Sequence, residues 1–460
     1  MVYSWSEKKE ECGIIAIFSK KGEDVAPILY RALVALQHRG QDAAGFAVLG
    51  KDGLVLRRGL GLVSDIFKKE DTRIPGRMGI GHTRYPTTGS CKGEDVQPTV
   101  FDEIAVTHNG HLANYDQVRA SLESQGYKFT STVDSEPIAH LLHSKLKTGG
   151  SMEGAVRHVM ETLDGAYSDA AIANGRLIVF RDPHSIRPLV WGENERFICF
   201  SSESCALDVN DIPYKGEVKG GELVVLGETI ERKPIMPKET RHCMFEYVYF
   251  SRPDSIINGE EVYAVRKKLG QELAKEHPLK ADVVVPVPDS SRTSAEAFAH
   301  ALNLPVEEGL IKNRYIGRTF IMPNQEKRME NVRLKLNPVR SIVEGREVAL
   351  IDDSIVRGTT LREIVSLVRS AGARKVHVRI TCPPILGPCF YGVDMKSYEE
   401  LIAHEKTVDE IAAFLGVDSL GYLSLDGLKK AIGVPICTGC LNGDYITPGA
   451  RKSAEERKRP

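Results

Sequence analysis

At 460 residues the chain is long enough for two or three domains, each with its own core. Its 61 Lys and Arg stand against 62 Asp and Glu, and a net charge of −1 argues against wholesale binding to nucleic acid. Apolar residues make up 42% and charged residues 27%, as in a soluble globular protein, and no uninterrupted apolar run reaches the ~18 residues of a membrane span. Residues 1–11, M-V-Y-S-W-S-E-K-K-E-E, lack the hydrophobic centre of a secretory signal. Nine cysteines, an odd number, then point to a reducing compartment, read as the cytoplasm, and to catalytic or metal-binding thiols.

Cys12-Gly13 opens a continuous apolar run, I-I-A-I-F, that predicts a buried strand. Taken alone, a cysteine there is most often a small core residue. It is followed by Q-H-R-G-Q-D-A-A-G (37–45), G-H-T-R-Y-P-T-T-G (81–89), T-H-N-G (107–110) and V-D-S-E (133–136). Cys-Gly with these four motifs, in this order, resembles the class II glutamine amidotransferases of the N-terminal-nucleophile type. The resemblance spans about the first half of the chain and implies an αββα sandwich over residues 12–235.

Glutamine hydrolysis needs a nucleophile, a base, a clamp for the free amino acid and donors for the oxyanion. Cysteine is the strongest nucleophile available, and an α-amine with pKa near ~8 can serve as its base when both belong to one residue. Residues 1–11 are therefore expected to be a propeptide removed after Glu11, which makes Cys12 the first residue. The resemblance implies that Arg84 clamps the glutamine α-carboxylate and Asp134 pairs with its α-ammonium group. Asn109 and the Gly110 N–H would form the oxyanion hole, a contribution of about 3 kcal/mol per donor. Singly, Asn-Gly is also a hairpin signal and Arg84 an ordinary surface charge. His82 and His108 are assigned to the scaffold, since the family uses no Cys–His pair there, and Cys91, Cys199 and Cys205 are read as structural.

Helices are predicted from His140 to Lys147 and from Met152 to Leu163, then β-rich segments such as A-A-I-A-N-G-R-L-I-V-F. R-D-P-H-S-I-R-P-L (181–189) and S-S-E-S-C-A-L (201–207) fit the amidotransferase pattern and are expected to frame the glutamine pocket, without an assigned role. Two prolines and mixed charge mark a seam over residues 232–242, so a second domain is placed at 236–450 and a charged, solvated tail at 451–460.

In the second half, V-V-V-P-V-P-D-S-S-R-T-S (283–294) reads as a strand running into a polar loop. Residues 312–340 hold eight Lys or Arg against two Glu, a charge of +6 suited to a solvated loop or to a highly anionic substrate. Val348 to Ile351 is a short apolar run fit for a strand of a parallel sheet, and it ends abruptly in Asp352-Asp353. Gly358 supplies a tight turn, and Thr359-Thr360 opens a helical pattern of Leu361, Ile364, Val365 and Val368. Open α/β sheets bind ligands at such strand–loop–helix junctions, where helix-start N–H groups with Thr hydroxyls and Arg357 suit a phosphate dianion. Adjacent carboxylates suit sugar hydroxyls or a hard cation such as Mg2+. The same residue types also make an ordinary capped helix. The full order Asp-Asp-x3-Arg-Gly-Thr-Thr resembles the phosphoribosyl-diphosphate (PRPP) loop of the type I phosphoribosyltransferases.

That resemblance implies a parallel-sheet domain in which Asp352 and Asp353 hold the ribose hydroxyls and Mg2+. Ser354, Arg357, Gly358, Thr359 and Thr360 would cradle the 5-phosphate, the stretch from Asp289 to Thr293 would grip pyrophosphate, and Ser290 would help hold Mg2+. The basic segment resembles the loop that folds over PRPP.

Four further cysteines, Cys243, Cys389 and the pair Cys437 and Cys440, form a soft donor set open to either Zn2+ or a [4Fe–4S] cluster. R-H-C-M-F-E-Y-V-Y-F-S-R-P-D-S and P-C-F-Y-G-V-D resemble the iron–sulfur branch of the glutamine PRPP amidotransferases, which favours the cluster and Cys389 over its neighbour Cys382. Both halves together resemble that family over residues 12–445, which implies transfer of glutamine-derived ammonia to PRPP at the first committed step of purine synthesis. It also implies Mg2+, purine-nucleotide feedback and a homotetramer. The alternatives are another class II amidotransferase, which usually begins Met-Cys and lacks the PRPP loop, or a PRPP-sensing regulator, which has no use for Cys12, Arg84 and Asp134 together.

Overall fold

The structure, a computed structural model, describes residues 12–85, 93–313 and 335–458. The expected propeptide 1–11, Cys91 and most of the basic segment, residues 314–334, lie outside the described residues.

The first half is built on two stacked antiparallel sheets, of seven and six strands among the described residues. Strand Gly13–Ser19 lies near the middle of the larger sheet, between Phe197–Ser201 and Met78–Arg84. Its period-two alternation explains why it is apolar throughout. Ile14, Ala16 and Phe18 face the smaller sheet, against Ala170, Ile172 and Val179. Ile15 and Ile17 face the helix Ala26–Ala35, packing with Leu29 and Leu33. The smaller sheet does the same in mirror fashion, turning Val106, Tyr167, Ala171 and Phe180 toward helices Ser135–Leu146 and Met152–Thr162. Each Ile or Phe buried in this way contributes about 2 kcal/mol. The layers are helix, sheet, sheet, helix, as expected.

The helix expected from His140 begins earlier, at Ser135. Pro137 sits in its first turn, where backbone N–H groups lack helical partners and a proline is tolerated. The last strand of the sandwich, Ile230–Pro234, ends at the expected seam. The chain then pairs His242–Cys243 in parallel with Ile436–Cys437, so the start of the second half lies against its far end.

The second half carries a four-stranded parallel sheet in the order Val283–Pro286, Glu347–Asp352, Lys375–Ile380, Ser419–Tyr422. Helices Val262–Glu276, Arg292–Leu302 and Leu425–Ile432 pack together, and Thr359–Ser370 packs with Val408–Leu415. One core joins strand residues Val284, Leu350 and Val378 to Leu269, Phe298 and Ile364 of those helices. The charged segment from Arg451 makes up most of the helix Pro448–Lys458, with Arg451, Lys452, Glu455, Glu456 and Arg457 exposed. Ala450 and Ala454, four residues apart, give it a buried face that its charge had masked. The Gly449 N–H donates to Asp164 Oδ2 at 2.7 Å and ties this helix to the first domain. Among the described residues no helix is long and apolar enough to cross a membrane.

Candidate active sites and thiol pocket

Cys12 stands at the start of its strand, and Arg84 at the end of the neighbouring antiparallel strand, where Gly13 pairs with Thr83. The Cys12 Sγ–H donates to the Tyr85 carbonyl at 3.4 Å. Burial pushes the thiol up, while the Arg84 guanidinium pulls it back toward the thiolate. Asn109 and Gly110 arrive from the smaller sheet on strand Ile104–Leu112. Ser202 bridges the two sheets: its Oγ accepts from Asn109 Nδ2 at 3.2 Å and from the Ile14 N–H at 3.0 Å. Position 110 requires glycine, since a Cβ there would lie 1.9 Å from the Ala166 carbonyl oxygen.

Asp134 joins this cluster through a residue assigned only to the scaffold. His108 is buried between two carboxylates, with Nδ1 2.7 Å from Asp169 Oδ1 and Nε2 3.4 Å from Asp134 Oδ2. Burial pushes the His108 imidazole down, but Asp134 and Asp169 outweigh it and raise its pKa well above 6.5. Burial likewise pushes the Asp134 carboxyl up, yet His108 leads a set of cations that hold it at about 2. Asp134 Oδ2 is buried, and its described partners are the ring nitrogens of His108 at 3.4 Å and His111 at 3.8 Å, an anionic oxygen held by histidines. His82 is the opposite case, with burial, then Arg84 and His108, holding it well below 6.5 and neutral. The signal for Asp169 was present in the sequence: it is the lone acid in the apolar strand Gly165–Ala173. Cys199 and Cys205 are buried core thiols pushed up by burial.

The second site lies at the carboxyl edge of the parallel sheet. Pro286 and Ile351 pair in register, so the loops after their strands emerge side by side. Both Ser290 Oγ and Ser354 Oγ donate to Asp353, the latter at 2.8 Å, and the Asp353 N–H donates to Asp352 Oδ1 at 2.8 Å. Gly358 takes φ +74° at the N-cap of Thr359–Ser370, a conformation that side chains disfavour. Two expected ligand groups are turned to neighbours. Arg357 pairs with Glu400 at 2.8 Å, and Asp289 pairs with Lys312 Nζ at 2.7 Å. Among the described residues no three His, Cys, Asp or Glu side chains are arranged to hold a metal ion by themselves. The two carboxylates with Ser290 nonetheless suit Mg2+, which usually takes one or two carboxylates and completes its shell with substrate oxygens and water.

A third feature lies beneath the seam. Cys243 and Cys437 are register partners, and together with Cys389 and Cys440 they line one pocket walled by Ile186, Phe245 and Tyr445. Cys382 is buried and does not line it. Burial pushes the Cys437 thiol up to about 12, and it raises Cys440 further with help from Cys389 and Cys437. Four soft donors converging on one apolar pocket fit a thiolate-bound metal group in chemistry, although they are not drawn into a metal-ligand arrangement here.

Comparison with known proteins agrees with both halves. The glutamine amidotransferase domain family matches residues 82–209, and the phosphoribosyl transferase domain family matches residues 254–432. The amidophosphoribosyltransferase of Methanothermobacter thermautotrophicus is 47% identical over 454 residues, 96% of each chain. That of Bacillus subtilis is 42% identical, over 95% of this chain and 94% of its own. Among solved structures, the B. subtilis glutamine PRPP amidotransferase complexed with ADP and GMP superposes with a TM-score of 0.88 at 41% identity. That match covers 95% of this chain and 97% of the other.

Proposed function

This chain belongs to the amidophosphoribosyltransferase family, and we propose that residues 12–235 release ammonia from glutamine while residues 236–450 pass it to PRPP. The overall reaction yields 5-phosphoribosylamine, glutamate and pyrophosphate at the first committed step of purine synthesis.

In the first site Cys12, freed by removal of residues 1–11, attacks the glutamine amide while its own α-amine takes the thiol proton. Arg84 binds the glutamine α-carboxylate and Asp134 its α-ammonium group. Asn109 Nδ2 and the Gly110 N–H receive the charge that develops on the carbonyl oxygen. The α-ammonium returns that proton to the amide nitrogen, the C–N bond breaks and ammonia leaves, and water then releases glutamate from the acyl-thiol. At neutral pH free ammonia is mostly protonated, so it has to travel shielded from water.

In the second site Asp352 and Asp353 orient the ribose hydroxyls, and Ser354 with the Arg357–Thr360 turn holds the 5-phosphate. The loop from Asp289 to Thr293 receives the pyrophosphate, with the Lys312 ammonium, now on Asp289, as a neighbouring cation. Asp352, Asp353 and Ser290 would hold Mg2+, which supplies neutralising charge for the departing pyrophosphate. Cys243, Cys389, Cys437 and Cys440 would hold a [4Fe–4S] cluster, whose chemistry here is that of a cross-link. The ADP and GMP of the B. subtilis complex support purine-nucleotide feedback on this chain, which we take to act as a cytoplasmic homotetramer.

One observation carries the division of labour: the buried carboxylate of Asp134, paired with His108, shares an electrostatic cluster with Cys12 and Arg84. Cys12→Ala tests it. Glutamine-dependent formation of phosphoribosylamine is expected to vanish while the ammonia-dependent rate survives. Loss of both rates in a folded variant would argue against two separable half-reactions.

A further inference from the structure

The thiol site is anchored from outside its own domain, at two places far apart in sequence. The first anchor runs through Arg39, a buried arginine of the Q-H-R-G motif. Its Nε donates to the Cys12 carbonyl at 3.0 Å, and one terminal nitrogen donates to Glu203 Oε1 at 2.6 Å. Its two terminal nitrogens also grip Glu246 in bidentate fashion, at 2.8 and 2.9 Å. Glu246 lies beyond the seam, in the helical turn Glu246–Phe250. Ser251 Oγ donates to its Oε2 at 2.7 Å.

That turn is itself clamped. Arg266, from the helix Val262–Glu276, donates to the carbonyls of Tyr247, Tyr249 and Ser251 at 2.9, 2.9 and 2.8 Å. A nucleophile at the head of a chain is held by a single peptide bond, so its carbonyl is the nearest handle on the direction of its side chain. Arg39 takes that handle, and Glu246 fixes Arg39.

The second anchor meets the oxyanion hole. Gly392 has φ +114°, and a Cβ added there would lie 3.2 Å from Gly110 C and 3.4 Å from both Gly110 Cα and O. Gly110 is thus flanked by Ala166 of its own sheet and, on the carbonyl side of the residue, by Gly392 of the second domain, one bond away from the N–H that serves the oxyanion hole. The segment carrying Gly392 is rigid by its own bonds. The Tyr391 N–H donates to Cys389 Sγ at 3.3 Å, and the Tyr391 hydroxyl accepts the N–H groups of Ile446 and Thr447 at 2.8 and 3.0 Å.

We infer that the second domain supplies two positioning residues for glutamine hydrolysis: Glu246, which fixes the Cys12 main chain through Arg39, and Gly392, which fixes the Gly110 peptide. The inference deepens the proposed function and rests on its reading of Cys12 and Gly110. Neither residue is among the groups assigned to glutamine binding, Arg84 and Asp134, so each is expected to act on the rate of attack and to leave glutamine binding alone.

The test uses full-length, matured protein carrying Glu246→Gln, Gly392→Ala or the milder Ser251→Ala, which removes only the hydroxyl on Glu246. Glutamine-dependent kcat is expected to fall by about tenfold or more in the first two and by less in the third, because small displacements of reacting groups are costly. The glutamine KM is expected to stay within about twofold, because the binding groups are untouched, and the ammonia-dependent rate to stay at its original value. A residue that merely holds the fold together would lower both rates in parallel, and that result would overturn the inference. So would unchanged glutamine-dependent kcat in the variants that fold. Cys12→Ala, assayed alongside, separates the two levels. If it stays active with glutamine, the underlying reading fails; if it is silent while Glu246→Gln, Gly392→Ala and Ser251→Ala keep full kcat, only the inference fails.

Discussion

Asp134 keeps a negative charge in a buried position because His108 stands beside it. The signs can be followed through pH. Asp134, held at about 2, contributes stability that is complete above its ordinary 3.8 and is lost as pH falls through about 2. The His108 imidazolium contributes stability that is complete below 6.5 and is lost as pH rises through its raised value. Asp169, pushed up to about 6 by its burial, opposes both as pH climbs from 3.8 to about 6. In the unaltered enzyme the glutamine KM is therefore expected to stay flat from about pH 8 down to about pH 5, with Asp134 ionised throughout. In His108→Gln the burial of Asp134 loses its largest offset, with only His111 and Arg84 left to oppose it, and the glutamine KM is expected to climb by about tenfold as the pH drops to about 5. Steady-state assays at fixed PRPP check this, and a flat profile in the variant would exclude His108 as the source of the Asp134 charge. The other site answers to a different readout. Asp353 accepts from two serine hydroxyls, so its orientation is set before any ligand arrives. Asp353→Asn keeps its size but loses its charge, and is expected to lower glutamine- and ammonia-dependent rates together by about 100-fold. Alkylation of Cys12 by iodoacetamide should then proceed at the original rate.

At the scale of elements, the junction from Glu347–Asp352 into Thr359–Ser370 depends on one backbone conformation. An alanine Cβ at Gly358 would sit 3.0 Å from Ile402 Cδ1 and 3.3 Å from Phe414 Cε1, at φ +74°. Gly358→Ala is expected to cost about 1–2 kcal/mol from the left-handed backbone alone. Tilting of the helix start should also raise the PRPP KM with ammonia as donor. Thermal unfolding and ammonia-dependent kinetics read the two effects separately, and a variant with unchanged PRPP KM would detach this turn from phosphate binding. The junction was legible in the sequence because apolar periodicity changes there, from a continuous run to a spacing of three and four. The start of Ser135–Leu146 was obscured by Pro137, and Pro448–Lys458 by its charges. Arg39 and Glu246 were not legible at all as a pair. Their contact joins residues 207 apart in the chain, and a buried ion pair leaves no local pattern to read. His108 was visible, but its role depends on Asp169, its neighbour across two paired strands.

For the molecule as a whole, the thiol pocket is where the seam closes. Cys243 follows the first domain almost at once, Cys437 and Cys440 come near the end of the second, and the parallel pair His242–Cys243 with Ile436–Cys437 brings them together. Two short strand segments form few hydrogen bonds of their own, and three of the thiols are buried. Linking such distant segments removes conformational freedom from the unfolded chain, which for a loop of ~100 residues contributes about 4–5 kcal/mol. The unliganded thiols gain nothing comparable: burial and mutual proximity hold Cys437 and Cys440 protonated. A metal group that takes them as thiolates would therefore couple its binding to the closure of the second domain and, through Cys389, to the rigid segment that presses Gly392 on Gly110. Protein prepared without air is accordingly expected to contain iron and to absorb broadly in the visible. Cys440→Ser is expected to lose both the iron and the colour, and to unfold about 10 °C lower, which is the shift several kcal/mol produces in a chain of this size. Elemental analysis and calorimetry on the same samples decide it. Iron-free or zinc-bound protein with full activity, or a Cys440→Ser variant that unfolds at the original temperature, would remove the cross-link from this account and leave the pocket as an ordinary apolar core.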